Sequence, residues 1–485
     1  MKATQFKKKL LSLALAALLA VALPGAALAA PSGGNDVQDT KVTINDLQVG
    51  DTVEAFLIAD AQIDASNNLT YSFAANVPAP YNTVEGLKGI TSDGYTFAQG
   101  SDMQTAAGTI AGALVNDTAA ATATATATSA DLTLGSGYYL VRVTSTSGNT
   151  RVYQNMVVNV SPVAGTAGYQ AAADFAVNVK STPVSITKGV GEGYAPTTDK
   201  YSAGDTVPFQ ITTAVPSYPA DSPYATFVIG DKPTAGLEID MSSITVTGAN
   251  AGDYNVAADG NGYTITFTKT FILNNPGQNI TVKYNAKLTS AAFSHDATDV
   301  TGNTAKVTFN PNPYQDSTVE SGSITTVQTY GFVFSKVGED KEGVQTPLEG
   351  AVFTLYDSTG TNAILDENGT ARTCTSAIVN GVAYVYFEDL AAGTYVVKET
   401  GVPSGFLKAS DQTITLNADV CKGNNPATTD AENNYLVIGD SVVDKPVPDL
   451  PITGGAGTLA ITAVGLILVG GGIFLAVRSR RKEEN

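Results

Sequence analysis

Short runs of alternating apolar and polar residues constrain the fold of this chain more than any other feature. Val, Ile, Thr, Tyr and Phe recur at every second position in segments that Gly, Asn, Asp and Pro separate, as at 138–143, 156–160, 263–267 and 384–387. A period of two is the pattern of a half-buried strand, and no long stretch follows the helical period. The sequence therefore predicts an all-β protein of three tandem immunoglobulin-like β-sandwich domains.

Proline-containing stretches divide the chain. With 485 residues it has room for about three domains. Ser181-Thr182-Pro183 indicates one boundary, and Pro311-Asn312-Pro313 lies near a second. After the third domain, repeated Pro without Gly predicts an extended, semi-rigid stalk. The predicted domains are residues 30–180, 181–322 and 323–447.

The first and last segments of the sequence have the patterns of a secretion signal and of a membrane anchor. Basic residues precede an apolar run that is too short to span a membrane, and Ala27-Leu28-Ala29 has the form of a cleavage site. This order predicts a secretory signal peptide at residues 1–29. In the last segment, residues 448–485, an apolar run at 456–477 is long enough to cross a bilayer, which needs about 20 residues. A basic cluster follows this run and should remain on the cytoplasmic side.

The stretch ahead of this apolar run is Leu450-Pro451-Ile452-Thr453-Gly454, and the whole pattern resembles the sorting signal of Gram-positive surface proteins. The resemblance implies that a sortase cleaves between Thr453 and Gly454. The acyl group would then pass to an amine, either of the peptidoglycan precursor or of a lysine in another subunit. The implied product is a cell-wall-anchored surface protein with a membrane-tethered precursor. An ordinary membrane anchor with a chance LPxTG is the alternative.

Charge and the scarcity of certain residues exclude several function classes. The chain has a formal net charge of −18, which disfavours nucleic acid and anionic membranes as partners because both attract basic patches. His295 is the only histidine and has no second ligand or nucleophile at a recognisable spacing, so we expect a surface loop residue. The sequence thus favours neither an enzyme nor a metal or cofactor site.

Cys374 and Cys421 are the only cysteines, and both fall in the third domain. Two cysteines in an oxidising compartment often pair. We therefore expect a disulfide between them, with two free thiols as the alternative.

The third domain carries a second resemblance. Residues 395–406, YVVKETGVPSGF, resemble the E-box of sortase-assembled pilins and of the collagen-adhesin B-type domain. Three further stretches are similar to other strands of that domain: 332–336, 348–355 and 441–446. The resemblance implies an isopeptide bond from Lys336 on the first strand to Asp444 on the last, with loss of water and with Glu399 as the assisting acid.

Burial would suit this chemistry. An apolar core disfavours charge, so we expect a neutral, nucleophilic Lys336 amine and a raised pKa for Glu399. Asp444 stands where the family more often has Asn, and Asp440 is the alternative target in a shifted register. The opposing interpretation is that these residues are surface charges at strand ends.

The second domain resembles the central domain of backbone pilins. The resemblance lies in the order of seven segments: 186–188, 204–209, 214–216, 227–231, 236–237, 284–286 and 302–305. It implies that Lys188 is the amine, Asn303 the amide that it attacks with release of ammonia, and Asp231 the assisting acid. Asp231 and Asn303 as ordinary turn residues are the alternative.

Lys180 ends the first domain in the run Val177-Asn178-Val179-Lys180. Backbone pilins carry their polymerisation lysine at this place, usually after Tyr-Pro, which is missing here. The resemblance implies that Lys180 accepts the acyl group of Thr453 from another subunit. Pro183 favours an extended conformation before it, so we expect this segment to project rather than pack. An exposed linker lysine is the alternative.

These features predict a structural protein, the subunit of a covalent, sortase-polymerised pilus on the cell wall. Its expected partners are a sortase, further copies of the chain and peptidoglycan, and no cofactor is expected. The alternative is a wall-anchored adhesin or accessory pilin that is not polymerised and binds a host ligand through the loops of the first domain.

Overall fold

The computed structural model describes residues 39–88, 90, 102–145, 150–166, 168–292, 301–423, 426–427 and 436–448. Strands dominate these ranges, which confirms the predicted all-β class. In the described part of the chain, no helix is both long and apolar enough to cross a membrane. The predicted signal peptide at 1–29, His295 and the predicted span at 456–477 lie outside the described residues.

The first unit contains twelve strands and two α-helices among its described residues. They are β1 (Thr40–Asn45), β2 (Thr52–Ile63), β3 (Leu69–Phe73), α1 (Val84–Leu87), α2 (Asp102–Ala113), β4 (Ala121–Thr124), β5 (Ser129–Leu134), β6 (Gly137–Thr144), β7 (Arg151–Tyr153), β8 (Met156–Asn159), β9 (Val163–Gly165), β10 (Gly168–Gln170), β11 (Phe175–Asn178) and β12 (Ser181–Pro183). One sheet has the order β11-β1-β5, and another has the order β3-β2-β6-β8 with β4 also on β2.

Helix α2 is a departure from the expected strand-only pattern. Its buried residues Ala106, Ala107, Ile110 and Ala111 form one helical face that packs into the core of the first unit. Alanine has the highest helix propensity, and this stretch lacks the β-branched runs of the neighbouring strands.

The second unit consists of two stacked sheets. Its elements are β13 (Ile186–Val190), β14 (Thr197–Thr198), β15 (Thr206–Ala214), β16 (Phe227–Pro233), β17 (Leu237–Ile239), β18 (Thr245–Thr247), β19 (Tyr254–Asp259), β20 (Gly262–Phe267), α3 (Lys269–Asn274), β21 (Asn279–Leu288), β22 (Thr301–Phe309) and β23 (Val319–Val327), with 3-10 turns at Met241–Ser243 and Ser290–Ala292. The first sheet has the order β13-β15-β21-β17 with β18 also on β21, and the second has the order β14-β23-β22-β16-β20-β19.

The third unit is also built from two sheets. Its strands are β24 (Tyr330–Glu339), β25 (Gln345–Pro347), β26 (Val352–Tyr356), β27 (Thr373–Thr375), β28 (Ala377–Val379), β29 (Val382–Leu390), β30 (Gly393–Gly401), β31 (Gln412–Leu416), β32 (Leu436–Ile438) and β33 (Val442–Asp444). One sheet has the order β25-β24-β29-β28, with β32 and β33 also on β24, and the other has the order β27-β26-β30-β31.

Strand pairing moves both predicted domain boundaries. The boundary between residues 322 and 323 falls inside β23, whose nine residues all pair with β22 and thus belong to the second unit. The boundary after residue 180 precedes β12, which pairs with β7 of the first unit. The backbone N–H and C=O groups of an extended segment need hydrogen-bond partners, and the edge of a neighbouring sheet can supply them. Proline and glycine in the sequence mark the end of a strand, but they do not show which sheet the next segment joins. We therefore divide the units after Pro183 and after Val327.

Candidate isopeptide sites

The second unit buries a lysine between its two sheets. Lys188 lies on β13 at an inward-facing position, because Ile186 and Val190 on either side are also buried. Asp231, at an inward position of β16 in the opposite sheet, meets it there. Both side chains are wholly shielded from solvent. The site thus arises because each of these two strands has a charged residue at a position whose side chain points into the core.

Four side chains meet at this point. Lys188 Nζ donates hydrogen bonds to Asp231 Oδ1 and, at 2.5 Å, to Tyr284 Oη. Tyr284 Oη donates to Asp231 Oδ2 at 2.6 Å, and Asn303 Nδ2 donates to Tyr284 Oη at 2.9 Å. The structure therefore brings together Lys188, Asp231 and Asn303, as the sequence predicts, and adds Tyr284 from β21.

The segment 284–286 belongs to the pilin resemblance, but the resemblance assigns Tyr284 no role, although β21 carries a signal for one. This strand alternates strictly between outward and buried positions, and Ile280, Val282 and Ala286 share the buried face with Tyr284. A tyrosine on that face buries its hydroxyl, and a buried tyrosine hydroxyl usually has a hydrogen-bond partner.

Burial sets the protonation states in this site. It lowers the pKa of Lys188 to about 8, although the attraction of Asp231 opposes the shift. Burial also raises the pKa of Asp231, against the opposing effects of Lys188, Tyr284 and Asn303. Both shifts favour a neutral amine beside a protonated carboxyl group, which is the state in which a lysine can attack an amide.

The third unit buries its lysine on the first strand and an acid on the last. Lys336 lies on β24, and β33 runs parallel beside it, with Lys336 opposite Val442 and Gly338 opposite Asp444. Lys336 Nζ contacts Asp444 Oδ1 and lies 3.8 Å from Glu399 Oε1, which comes from β30 in the opposite sheet. The side chains of all three ionisable residues are wholly shielded from solvent.

Hydrogen bonding in this second site is incomplete. Among the described residues, the Lys336 amine and both carboxyl oxygens of Asp444 are buried without a hydrogen-bond partner. Glu399 Oε2 accepts from the Ala409 backbone N–H at 2.7 Å, which holds the acid in place. Burial raises the pKa of Glu399; Ala409 and Lys336 oppose the shift, and Asp444 adds to it. Asp440, the alternative target, is exposed.

Lys180 lies in a shallow groove at the edge of the first unit. The groove is lined by Asp46, Leu47, Thr128, Arg151, Val179, Lys180 and Ser181. The expectation that the following segment projects is wrong, because Ser181–Pro183 pairs antiparallel with Arg151–Tyr153. The segment is extended, as Pro183 favours, and it packs because β7 offers backbone partners. Lys180 is half-buried, and partial burial lowers its pKa.

The expected disulfide is not formed. Cys374 and Cys421 are both free thiols. Cys421 is buried with its Sγ 4.0 Å from the Gly331 carbonyl oxygen on β24, whereas Cys374 is half-buried on β27 of the other sheet.

No group of three or more His, Cys, Asp and Glu side chains in the described ranges is arranged to hold a metal ion. The sorting-motif residues Leu450, Pro451, Thr453 and Gly454 lie outside the described part of the chain.

Comparison with family models identifies two segments. Residues 331–433 match the model described as SpaA, prealbumin-like fold domain, and residues 443–485 match the LPXTG cell wall anchor motif. The second match confirms the predicted sorting signal, and the first agrees with the pilin resemblance of the third domain.

Relatives extend the similarity over most of the chain. The chain is 23% identical over 397 residues to the fimbrial subunit type 2 of Actinomyces naeslundii, which covers 72% of this chain and 70% of that protein. Its fold is similar to the T6 backbone pilin of Streptococcus pyogenes serotype M6, with a TM-score of 0.63 at 17% identity over 86% of this chain and all of the other. The full-length major pilin SpaD of Corynebacterium diphtheriae gives a TM-score of 0.51 at 16% identity, over 84% of this chain and 98% of the other.

Proposed function

We propose that this chain is a structural subunit of a covalent pilus that a sortase polymerises and that is anchored to the cell wall. The observation that carries the proposal is the presence, in one chain, of an LPXTG anchor and of the fold of backbone pilins over 86% of the residues. The similarity to a fimbrial subunit supports the same function. The chain is a building unit and not an enzyme, since each bond proposed below forms once in the molecule that it modifies.

Two internal isopeptide bonds would stabilise the subunit. In the second unit, Lys188 Nζ would attack Asn303 Cγ and ammonia would leave. In the third unit, Lys336 Nζ would attack Asp444 Cγ and water would leave. The buried contacts of both lysines support these reactions. A neutral amide would also replace buried ionisable groups, whose desolvation is costly.

The two bonds would resist force in different ways. The Lys188–Asn303 bond would join the two stacked sheets of the second unit, because β13 and β22 belong to different sheets. The Lys336–Asp444 bond would join two adjacent parallel strands, the first and the last of the third unit. Under tension from both ends of the chain, the second bond would prevent β24 and β33 from separating.

Polymerisation would join Thr453 of one subunit to Lys180 of the next. The sortase would form an acyl-enzyme at Thr453, and the Lys180 amine would resolve it with formation of an amide. The position of Lys180 in an open groove, with its pKa lowered by partial burial, supports its role as the acceptor. Attachment to peptidoglycan would use an amine of the wall precursor in the same way.

The experiment is immunoblotting of cell-wall extracts from cells that produce the wild type, Lys180→Arg or the control Lys88→Arg. Lys88 is an exposed lysine of the same unit. We expect a high-mass ladder for the wild type and the control, and a single wall-linked band for Lys180→Arg. A ladder from Lys180→Arg would move the linkage to another lysine. A single band from the wild type would overturn the pilus function and favour the monomeric adhesin.

A further inference from the structure

Tyr284 occupies the centre of the buried site in the second unit. Its hydroxyl accepts a hydrogen bond from Lys188 Nζ at 2.5 Å and from Asn303 Nδ2 at 2.9 Å, and donates one to Asp231 Oδ2 at 2.6 Å. It thus touches the attacking amine, the amide under attack and the assisting acid. From these contacts we propose that Tyr284 is a catalytic residue that relays protons between Asp231 and Asn303 during formation of the Lys188–Asn303 bond.

The hydrogen bonds of Asn303 point to the same role. Its Oδ1 is buried and has no hydrogen-bond partner among the described residues. Attack on the amide places negative charge on this oxygen, which then needs a donor. The two ends of an asparagine amide are nearly equal in size, so a half-turn about Cβ–Cγ exchanges them. Oδ1 would then lie about as far from Tyr284 Oη as Nδ2 does now, within hydrogen-bond distance.

The surroundings keep the phenol in place and protonated. Its ring stacks on Phe209 with centroids 5.3 Å apart and an interplanar angle of 6°, and Tyr263 meets it edge-on at 5.4 Å. Burial raises the pKa of Tyr284 well above its usual range, and the negative charge of Asp231 adds to the shift. A neutral hydroxyl can accept one proton while it gives up another, which a phenolate could not do.

The proposed bond forms in three steps, which conserve every atom and proton. Neutral Lys188 Nζ attacks Asn303 Cγ; Asp231 passes its proton to Tyr284 Oη, whose own proton moves to Asn303 Oδ1. The Asp231 carboxylate then removes one proton from the new ammonium at Lys188 Nζ. Finally the carbonyl re-forms, and its proton reaches Asn303 Nδ2 through Tyr284. The Cγ–Nδ2 bond breaks with its electron pair on nitrogen, and ammonia leaves. Asp231 and Tyr284 end as they began.

The test uses the full chain made by cell-free synthesis, with samples taken after translation stops. Each sample is digested, and mass spectrometry measures the fraction of the Lys188 and Asn303 peptides that are joined with loss of ammonia. We expect Tyr284→Phe, which keeps the ring but lacks the hydroxyl, to slow bond formation by about 10²-fold, the size of a general acid–base contribution.

Tyr263→Phe is the matched control. Tyr263 lies beside Tyr284 in the same core, and its buried hydroxyl has no hydrogen-bond partner among the described residues. We expect wild-type rates for this variant. In each molecule, loss of water at Lys336 and Asp444 serves as an internal clock for synthesis and for folding of the third unit, and it should be unchanged. A wild-type rate for Tyr284→Phe, or equal slowing by Tyr263→Phe, would overturn the proposal.

A second measurement needs no variant. The rate of Lys188–Asn303 bond formation in the wild type is measured in mixtures of light and heavy water. If two protons move together through Tyr284, a plot of this rate against the deuterium fraction of the solvent is curved, whereas transfer of a single proton gives a straight line. A straight line would therefore overturn the relay. The inference rests on the proposed Lys188–Asn303 bond. If the wild type never loses ammonia while the third-unit clock runs, that bond is refuted, and the relay with it.

Discussion

Lys336 Nζ lies against Asp444 Oδ1 on neighbouring parallel strands, in contact but without the geometry of a hydrogen bond. Both side chains are wholly shielded from solvent. An ion pair that is buried without hydrogen bonds is costly, because desolvation of two charges outweighs their attraction unless further bonds satisfy them. Covalent joining would remove this cost, so the contact supports the proposed Lys336–Asp444 bond.

The first prediction concerns the mass of the folded chain. We expect the exported chain to be lighter than its sequence by one ammonia and one water, because the proposed Lys188–Asn303 bond releases ammonia and the proposed Lys336–Asp444 bond releases water. Lys188→Ala should restore the ammonia alone, and Lys336→Ala should restore the water alone. Intact-mass spectra check each loss separately. Lys445→Ala, at an exposed lysine next to Asp444, is the control and should keep both losses. A wild-type mass equal to that of the unmodified sequence would refute both bonds.

The second prediction concerns Glu399, which the Ala409 N–H holds at the side of Lys336. In the proposed reaction Glu399 is the acid that polarises the Asp444 carbonyl, so we expect Glu399→Ala to fold and to retain the water of the third unit. The cross-link closes a loop of roughly 100 residues, which is worth about 4 to 5 kcal/mol in the loop-entropy model. The third unit should thus unfold at lower temperature in calorimetry, while the ammonia loss in the second unit continues. Glu342→Ala, at an exposed acid, is the control. Normal water loss in Glu399→Ala would disprove the role of this acid.

The third prediction concerns the sorting motif. Thr453→Ala should abolish the acyl transfer, because the scissile bond follows this residue in the LPXTG pattern that the anchor match includes. We expect the chain to remain in the membrane fraction with its basic tail attached, as detected by a tag after Asn485. The neighbouring change Ile452→Val falls at the variable position of the motif and should leave wall attachment intact. Wall-linked Thr453→Ala protein would show that another bond is cut.

The fourth prediction concerns pH. Burial raises the pKa of Asp389 from 3.8 to about 7, with Glu388 and Glu367 adding to the shift and Arg372 opposing it. As the pH rises through the unfolded value, the unfolded chain loses this proton while the folded chain keeps it. The contribution of Asp389 to the free energy of unfolding therefore falls between about pH 4 and pH 7 and is level above.

Asp389→Asn should remove this dependence. The backbone of Asp389 has a φ of 56°, a left-handed conformation that Asn adopts readily, so the variant should fold. Unfolding temperatures of the two chains, measured across this range, should show the wild type losing stability relative to the variant as the pH rises. The opposite trend, or no difference at any pH, would contradict the prediction.

Strand alternation accounts for what the sequence by itself determined. It predicts the all-β class, and it puts Lys188, Asp231 and Asn303, like Lys336 and Glu399, at the inward phase of their strands. This phase is local, since alternate residues of a strand always face opposite sides. The sorting signal is also readable from the sequence, because its parts follow one another along the chain.

Only the tertiary structure decided which inward side chains meet. Tyr284 joins the second site because β21 stacks across from β16 and β22, and Asp444 rather than Asp440 reaches Lys336 because of the register of β33 on β24. The assignment of β23 to the second unit has the same origin. Sheet stacking and register join residues that lie far apart along the chain, such as Lys188 and Tyr284, 96 positions apart. The alternation of apolar and polar residues shows which face of a strand a side chain lies on. The packing of one sheet on another determines which side chains it contacts.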